Sequence, residues 1–218
     1  MGGLFSTDGC GAVTEGVATP TRERIRAVAA DLYVTSGYDG FSFGDVAQAV
    51  GVTRANIHHH FGSKAWLMAE LIEGFAGDAT RRVNGHWAEG DVPFFDRFAL
   101  QLADLRRFYI RFNPNEGDRN VWSPVSRLRL DLQVLGREGA DALLAVSRAY
   151  EASLREAVAQ GIAQGELRPD TPVADVALIL RVTLMSCGPI TQDSGSFAEV
   201  ERVLAALGRT VAAAWAQH

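Results

Sequence analysis

Apolar residues recur at intervals of three and four along most of the chain, which is the spacing that places side chains on one face of an α-helix. Alternation with period two, which is typical of half-buried strands, is absent from the sequence. The pattern therefore predicts an all-α fold of about nine helices.

Capping and turn-forming residues divide this pattern into separate helices. Gly37 ends the first helix, which begins at Thr21, and Thr53 caps the short third helix. Thr171 is expected to cap the eighth helix, which runs to Met185 with Pro172 at its first position. The other helices are predicted at residues 42–50, 63–83, 93–112, 123–135, 139–164 and 196–216.

The second and third helices are short and are separated by a tight turn. Gly51 suits the positive φ that such a turn requires, and Val52 and Ile57 supply apolar side chains between the two helices. This is the helix-turn-helix arrangement, whose second helix enters the major groove of DNA.

The segment Gly51–Lys64 also differs in charge from the rest of the protein. It contains Arg54, Lys64 and three histidines but no acidic residue, although the whole chain has a formal charge of −5. Arg54 and Lys64 each follow a predicted N-cap, where the helix dipole disfavours a cation by roughly 0.3–1 kcal/mol. A phosphate bound at both helix starts would remove this conflict, so the segment predicts contacts with the DNA backbone.

These residues resemble the N-terminal DNA-binding domain of the TetR family of one-component transcriptional regulators. The resemblance covers Thr21–Phe75 and is carried by FSFGDVAQAVGV at residues 41–52 and by NIHHHFGSK at residues 56–64. The family pattern usually reads Leu-Tyr-x-His-Phe-x-Ser-Lys in the second run, where this chain has Ile57 and His58. The resemblance implies a three-helix DNA-binding head, a larger helical body with an inducer pocket, and a homodimer.

The DNA contacts can be assigned by chemistry and by position in the family motif. Arg54 can pair with guanine and Asn56 with adenine, and Ala55 offers a methyl contact to thymine. Ser42 has the alternative role of a plain N-cap, and Asn56 that of a solvated helix residue. The phosphate candidates implied by the motif are Ser42, Thr53, His58, His59 and Lys64.

The run of three histidines, His58 to His60, also raises the question of a metal site. Neighbouring residues of a helix point about 100° apart, so three consecutive side chains do not converge on one ion. We predict no metal site there, and expect His58 and His59 to face DNA with an affinity that rises as they become protonated.

Length and composition agree with a small head and a larger body. A chain of 218 residues with 47% hydrophobic and 22% charged residues can form both. We place a flexible tail at residues 1–20, the head at 21–66 and the body at 67–218. Two cysteines, Cys10 and Cys187, provide no disulfide framework, and no signal peptide or membrane-spanning run is present, which predicts a cytoplasmic protein without a membrane partner.

The eighth predicted helix carries apolar residues on more than one face. The ninth has one apolar stripe and many alanines elsewhere, which permit close helix approach. We therefore predict a homodimer held by a four-helix bundle made from these helices of both subunits. The alternative is that both faces are buried within one subunit. The predicted interface residues are Val176, Leu180, Leu184, Val203, Leu207 and Val211.

The body contains none of the common nucleophile, phosphate-binding or metalloprotease motifs, so neither enzymatic activity nor a cofactor is expected. Five arginines in the middle of the chain favour either an anionic ligand or a solvated, salt-bridged face, namely Arg106, Arg107, Arg111, Arg127 and Arg129. Aromatic residues of the middle helices are candidates to line an effector pocket, with ordinary core packing as the alternative. These candidates are Trp87, Phe98, Phe108, Tyr109, Phe112, Trp122 and Tyr150.

The sequence thus predicts a ligand-responsive, homodimeric repressor that binds double-stranded DNA at a palindromic operator and is released by a small-molecule effector. The long helix that begins at Ser63 is the predicted connection between head and body. Two alternatives remain: an all-α enzyme with a DNA-binding-like head, and a regulator controlled by a protein partner. A body without a pocket of roughly 300 Å³ or more would favour the second alternative.

Overall fold

A computed structural model describes residues 20–217 of the chain. The predicted tail of residues 1–20, with Cys10, lies outside the described residues except for Pro20. Within the described range the chain is all-α, as predicted, and its one strand-like pairing is an isolated antiparallel bridge between Leu167 and Ala216. The helices are α1 Thr21–Ser36, α2 Phe43–Val50, α3 Arg54–Phe61, α4 Lys64–Val83, α5 Arg97–Phe112, α6 Pro124–Leu130, α7 Leu132–Ala163, α8 Val173–Met185, α9 Cys187–Ser194 and α10 Ala198–Trp215, with a π-helical turn at Asn84–Ala88.

The three N-terminal helices surround one hydrophobic core. Apolar side chains of α1, α2 and α3 meet there, and Ile25, Val46 and Ile57 are fully buried. The same core includes Leu67, Met68, Leu71 and Ile72 from the first half of α4 and Leu128 from α6. The far half of α4 instead contributes Val83 to the core of the body, so α4 belongs to both parts.

The body is built around α7 and α8, with α5, α9 and α10 packed around them. Its core contains side chains such as Trp87, Leu154 and Leu180, which are fully buried. Gly136 takes φ 58° and ψ −136°, which interrupts α7 near the break predicted between residues 135 and 139. This positive φ is accessible to glycine without a steric cost.

The helix predicted to start at Pro93 starts later, at Arg97. Residues 93–96 form a turn in which the amide of Phe94 donates to the Glu166 carboxylate, at 3.0 and 2.9 Å. Arg97 is completely buried, and its guanidinium donates to the carbonyls of Val92 and Trp87 and to the Gln160 side chain. The sequence pattern did not indicate a buried arginine, because its three acceptors come from other segments.

The predicted cap of α8 is wrong. The Thr171 hydroxyl donates to the carbonyl of Arg168, at 2.6 Å, and makes no bond to the helix start. Pro172 occupies the N-cap position instead of the first helical position, since its carbonyl accepts from the amides of Asp175 and Val176.

The sequence also missed α9, because Gly188 and Pro189 suggested the end of a helix. Pro189 lies in the first turn of α9, where a proline removes no intrahelical hydrogen bond. Gly188 is needed for packing, since a Cβ at this position would lie 2.4 Å from the hydroxyl oxygen of Ser126 on α6. Close approach to α6 therefore explains the glycine that looked like a helix stop.

Two helices of the body hold the C-terminal end of α1. The Arg127 guanidinium of α6 donates to the carbonyls of Val34 and Thr35, both at 2.9 Å. Just after α6, the Asp131 carboxylate accepts from the amide of Tyr38, also at 2.9 Å. On the surface, Arg111 of α5 pairs with Asp31 of α1. The head is thus attached to the body through α6 as well as through α4.

Four of the predicted dimer residues lie inside the subunit. Val176, Leu180, Leu184 and Val211 are at most 5% exposed, because they face the core between α7, α8 and α10. Val203 and Leu207 are only partly exposed. The second apolar face of α8 does point outward, but it consists of different residues, namely Leu178, Ile179 and Val182.

No single helix among residues 20–217 is long and apolar enough to cross a membrane. The bent pair of α8 and α9 passes the same test of length and hydropathy, with an angle of 44° between the two helices.

Candidate nucleic-acid interface

The turn between α2 and α3 has the geometry that its sequence predicts. Gly51 lies in the left-handed region, at φ 78° and ψ 37°, and the amides of Gly51 and Val52 both donate to the carbonyl of Ala47, at 3.0 Å. Arg24 of α1 also donates to the Val50 carbonyl, at 2.9 Å, and so satisfies the end of α2. These bonds hold α3 at a defined angle to α2.

The start of α3 is capped and open to solvent. The Thr53 hydroxyl accepts from the amide of Asn56 at 3.2 Å, which confirms the predicted cap. Arg54 and Ala55 are exposed, and no carboxylate among residues 20–217 pairs with Arg54. Free amides at a helix start attract anions, so both the backbone and the Arg54 side chain are available to DNA.

Asn56 lies deeper than its neighbours in the first turn. Its side chain is half-buried, and its Oδ1 atom is buried without a hydrogen-bond partner in the described part of the chain. Bidentate pairing with adenine requires both the oxygen and the nitrogen of the amide. Asn56 must therefore change its side-chain conformation to make the predicted base contact.

The histidines do not converge on one point. His58 Nδ1 lies 2.9 Å from the carbonyl oxygen of Gly62, and the ring packs edge-on against Phe43 with centroids 4.9 Å apart. This bond leaves Nε2 of His58 as the atom that can reach outward. His59 is exposed and His60 is half-buried, and within the described range no cluster of three or more His, Cys, Asp or Glu side chains is placed to hold a metal ion.

Lys64 begins α4, and Ser63 caps it by accepting from the amide of Trp66 at 3.2 Å. The Lys64 ammonium does not extend outward, however. It donates to the carbonyls of Tyr38 and Phe41 and lies over both rings, 4.7 and 4.4 Å from their centroids. Partial burial lowers the pKa of this ammonium. In this conformation Lys64 fastens the loop between α1 and α2, and the start of α4 offers its backbone to an anion.

Ser42 has the role of an N-cap. Its hydroxyl accepts from the amides of Gly44 and Asp45, and the Asp45 carboxylate accepts from the Ser42 amide at 2.7 Å. These bonds from Ser42 lower the pKa of Asp45. The adjacent carboxylate is unfavourable to a phosphate, so the capping role explains Ser42 more directly than the predicted DNA contact.

Trp66 was not among the residues predicted from the sequence. It lies in the first turn of α4 and is 71% exposed, which is unusual for so large an aromatic side chain. The sequence does show that Trp66 follows the capped start Ser63-Lys64, next to the DNA-contact candidates.

The body contains a separate cavity next to α6, which we call the α6 cavity. Its volume is about 40 Å³, and its wall includes three of the seven aromatic candidates, namely Phe108, Trp122 and Tyr150. The other four do not line it. Trp87 and Tyr109 are buried in the core, Phe112 is half-buried, and Phe98 lines an open groove between α5 and α10.

The arrangement of the N-terminal helices defines the class of protein. A capped, solvent-exposed helix held across a second helix by a glycine turn is the recognition element of helix-turn-helix DNA-binding proteins. A larger helical body follows it.

Comparisons with known proteins agree with this class. Residues 25–71 match the family model described as bacterial regulatory proteins, tetR family. The chain is 40% identical over 60 residues to the HTH-type transcriptional regulator AcrR of Shigella flexneri, an alignment that spans 28% of either protein. The fold is similar to that of a TetR transcriptional regulator from Chloroflexus aurantiacus, with TM-score 0.74, 23% identity and coverage of 91% and 97% of the two chains. A TetR-family regulator from Agrobacterium tumefaciens has TM-score 0.73, 21% identity and coverage of 88% and 97%.

Residues 25–71 thus carry the N-terminal domain of the tetR family of bacterial regulatory proteins. The sequence matches lie in the DNA-binding head, whereas the structural likeness extends over the body at low identity and concerns its fold alone. The head is that of a DNA-binding transcriptional regulator.

Proposed function

We propose that this protein is a homodimeric repressor that binds a palindromic operator and is released by a small-molecule effector. The observation that supports DNA reading most directly is the open first turn of α3, with Arg54 and Ala55 exposed and Thr53 holding the cap. Recognition helices of a two-fold dimer contact half-sites roughly 34–36 Å apart, which is one turn of DNA.

The outward face of α8 supports the dimer. Leu178, Ile179 and Val182 are 44%, 48% and 51% exposed, and they follow each other at helical spacing. Clustered apolar residues of this size on a surface mark an interaction site. We therefore assign the contact between subunits to these residues and to the exposed alanines of α10, Ala205 and Ala206, in place of the buried set.

Transmission between effector and DNA would use α6. One side of this helix lines the α6 cavity through Ser126 and Arg129, and Arg127 holds the end of α1. A ligand that displaces α6 would therefore move the head. A coupling free energy of about 1–3 kcal/mol would change operator affinity roughly 5- to 150-fold.

One observation favours the alternative of control by a protein partner. Pockets for drug-sized ligands measure roughly 300–1,000 Å³, whereas the α6 cavity measures about 40 Å³. Effector binding in the α6 cavity therefore requires either a very small effector or an opening of the cavity. The cavity wall contains polar and charged groups. These groups favour effector control, in preference to a body that has only a packing function.

DNA reading can be tested by fluorescence anisotropy with the DNA that flanks the protein's own gene, titrated with salt. The wild type is compared with the double variant Arg54→Ala, Asn56→Ala, and with Arg168→Ala as a matched loss of charge in the loop between α7 and α8. We expect salt-sensitive binding to one palindrome and a loss of about 1–3 kcal/mol for each base contact removed. Arg168→Ala should bind as the wild type does.

If the double variant binds the same site as tightly as the wild type, the proposed base contacts are wrong.

Analytical ultracentrifugation of Ile179→Asp tests the dimer, since a charge on the outward face of α8 should produce monomers.

A further inference from the structure

The α6 cavity lies where α4, α5, α6, α7 and the junction of α8 and α9 meet. Its apolar wall includes the rings of Phe108 and Trp122, and its charged residues are Arg82, Asp104 and Arg129. Two arginines and one aspartate leave the lining with a formal charge of +1. The distribution of this charge decides what the cavity can bind.

One of the two arginines already has an acidic partner. Arg82 Nε lies 3.3 Å from the carboxylate of Asp104, and its guanidinium lies 4.5 Å from the centroid of the Phe108 ring. Asp104 also pairs with Arg107, whose side chain extends to the surface. The single carboxylate of the lining is thus shared between two guanidinium groups.

Arg129 has no such partner. Its side chain is half-buried, and no carboxylate within residues 20–217 forms an ion pair with it. Among the described residues, Arg129 Nη1 donates a hydrogen bond to the carbonyl of Met185, at 3.3 Å. Burial lowers the pKa of the guanidinium, but an arginine remains charged. A bound anion would stabilise a charge that is held out of water in this way.

The five arginines of this region separate into two groups. Three of them form ion pairs, namely Arg106 with Glu201, Arg107 with Asp104, and Arg111 with Asp31. A fourth, Arg127, donates hydrogen bonds to carbonyls at the end of α1. These four match the expectation of a salt-bridged or structural role. Arg129 is the one that lines the cavity and lacks a carboxylate among the described residues.

The neighbours of Arg129 are neutral groups that suit an anion. The Tyr150 side chain also lines the cavity, and burial raises the pKa of its phenol, so its hydroxyl stays a proton donor. Burial raises the pKa of the Cys187 thiol to about 12, which keeps this group uncharged as well. Neither side chain competes with a bound anion for the guanidinium.

We propose that the α6 cavity binds a small organic anion whose carboxylate pairs with Arg129 and accepts a hydrogen bond from Tyr150. A cavity of about 40 Å³ has room for a molecule of few heavy atoms. This size selects a short carboxylic acid, with its apolar end between Phe108 and Trp122. The ligand class is inferred from the cavity lining. Only the expectation that ligand binding releases DNA rests on the proposed function.

The test uses the full-length protein and sodium acetate, propionate, butyrate and benzoate as probes. Acetamide, propionamide, butyramide and benzamide are the neutral controls, and sodium chloride matches the ionic strength. Binding is measured by isothermal titration calorimetry and by the shift in melting temperature. We expect at least one carboxylate to bind and its amide not to bind.

Three variants locate the site. Arg129→Gln should weaken carboxylate binding about 30-fold or more, because it removes one partner of a buried charge pair. Tyr150→Phe keeps the ring and should weaken binding by roughly 10-fold. Arg106→Gln removes an exposed arginine outside the cavity and should leave binding unchanged. The melting temperature of each unliganded variant shows whether it is folded, and Tyr150→Phe serves if Arg129→Gln is not.

The proposal is overturned if no carboxylate binds the wild type, if the amides bind equally well, or if both cavity variants bind carboxylates with wild-type affinity. Operator release is measured separately by anisotropy. Carboxylate binding that depends on Arg129 but leaves DNA affinity unchanged would support the ligand class and contradict effector control. Release of DNA by a neutral molecule alone would contradict the ligand class and support effector control.

Discussion

The head and the body of this protein place their candidate functional groups in opposite ways. In the head, Thr53, Arg54 and Ala55 are neighbours in the chain and lie exposed on the first turn of α3. In the body, the α6 cavity is enclosed by residues between Arg82 and Gly188 that come from six helices. A surface made by one helix is encoded by neighbouring residues, whereas the shape of a cavity depends on the packing of several helices.

This difference has a consequence for variation. The small core behind α3 supports a surface that has to match a regular DNA duplex, so its geometry is constrained. The cavity has to match only its own ligand, and a change in any one of six helices alters its shape and charge.

Replacement of Ile57 by alanine should have the largest effect on stability. Ile57 is fully buried on the inner side of α3, so Ile57→Ala should lower the free energy of unfolding by about 2–5 kcal/mol. Chemical denaturation measures this change. Ile110→Ala, on the exposed face of α5, is the matched control and should change stability by less than about 0.5 kcal/mol. Equal losses in both variants would show that the head core is not as well packed as described.

Removal of Arg127 should uncouple the two regions. Arg127→Ala deletes two hydrogen bonds from a charged donor to the end of α1, which contribute about 1.5–3 kcal/mol each at most. Hydrogen exchange should become faster in the amides of the last turn of α1, and any effector should change operator affinity less than in the wild type. Arg155→Ala, which removes an exposed pair with Glu151 on α7, should alter neither property.

Two helix caps allow a direct comparison of head and body. Thr53 caps α3 and Ser123 caps α6, each by accepting from the amide three residues further on. Replacement of either by alanine should cost roughly 1 kcal/mol of stability. Thr53→Ala should weaken DNA binding directly, whereas Ser123→Ala should act first on the α6 cavity. If Ser123→Ala impaired unliganded DNA binding as strongly as Thr53→Ala, the two regions would not be separable in function.

The smallest effect concerns the buried thiol. Burial raises the pKa of Cys187 to about 12, so the reactive thiolate is scarce at neutral pH. In a Cys10→Ser background, Cys187 should react with a disulfide reagent only after denaturation, as a thiol assay with and without guanidinium would show. Rapid reaction in the native protein would reveal that the cavity wall opens readily.

The elements of the head could be predicted because their signals are local. Gly51 requires a positive φ, Thr53 caps the helix that follows it, and Ser63 caps the next. The side-chain directions were less predictable. Lys64 occupies the expected position at the start of α4, yet its ammonium points to the α1–α2 loop because two carbonyls and two rings attract it there.

The body shows the limits of helical periodicity more clearly. Its spacing indicated that α8 has two apolar faces, and the structure has both, but spacing does not tell which face turns inward. Val176 and Leu180 therefore appeared to be interface residues although they lie in the core. The same limitation applies to Gly188, whose role depends on the contact with Ser126 some 60 residues earlier in the chain.

The all-α fold, the helix-turn-helix element and the caps of α3 and α4 could be predicted from sequence alone, since these follow from the conformational preferences of a few consecutive residues. Helix packing then decided that Arg97 is buried, that Arg127 holds α1, and that Arg129 lines the α6 cavity without forming an ion pair to a described carboxylate. The physical reason is that an arginine's environment is set by the acceptors that reach it. The acceptors of these arginines include groups 63, 93 and 56 residues away in the chain, which reach them only when the helices pack.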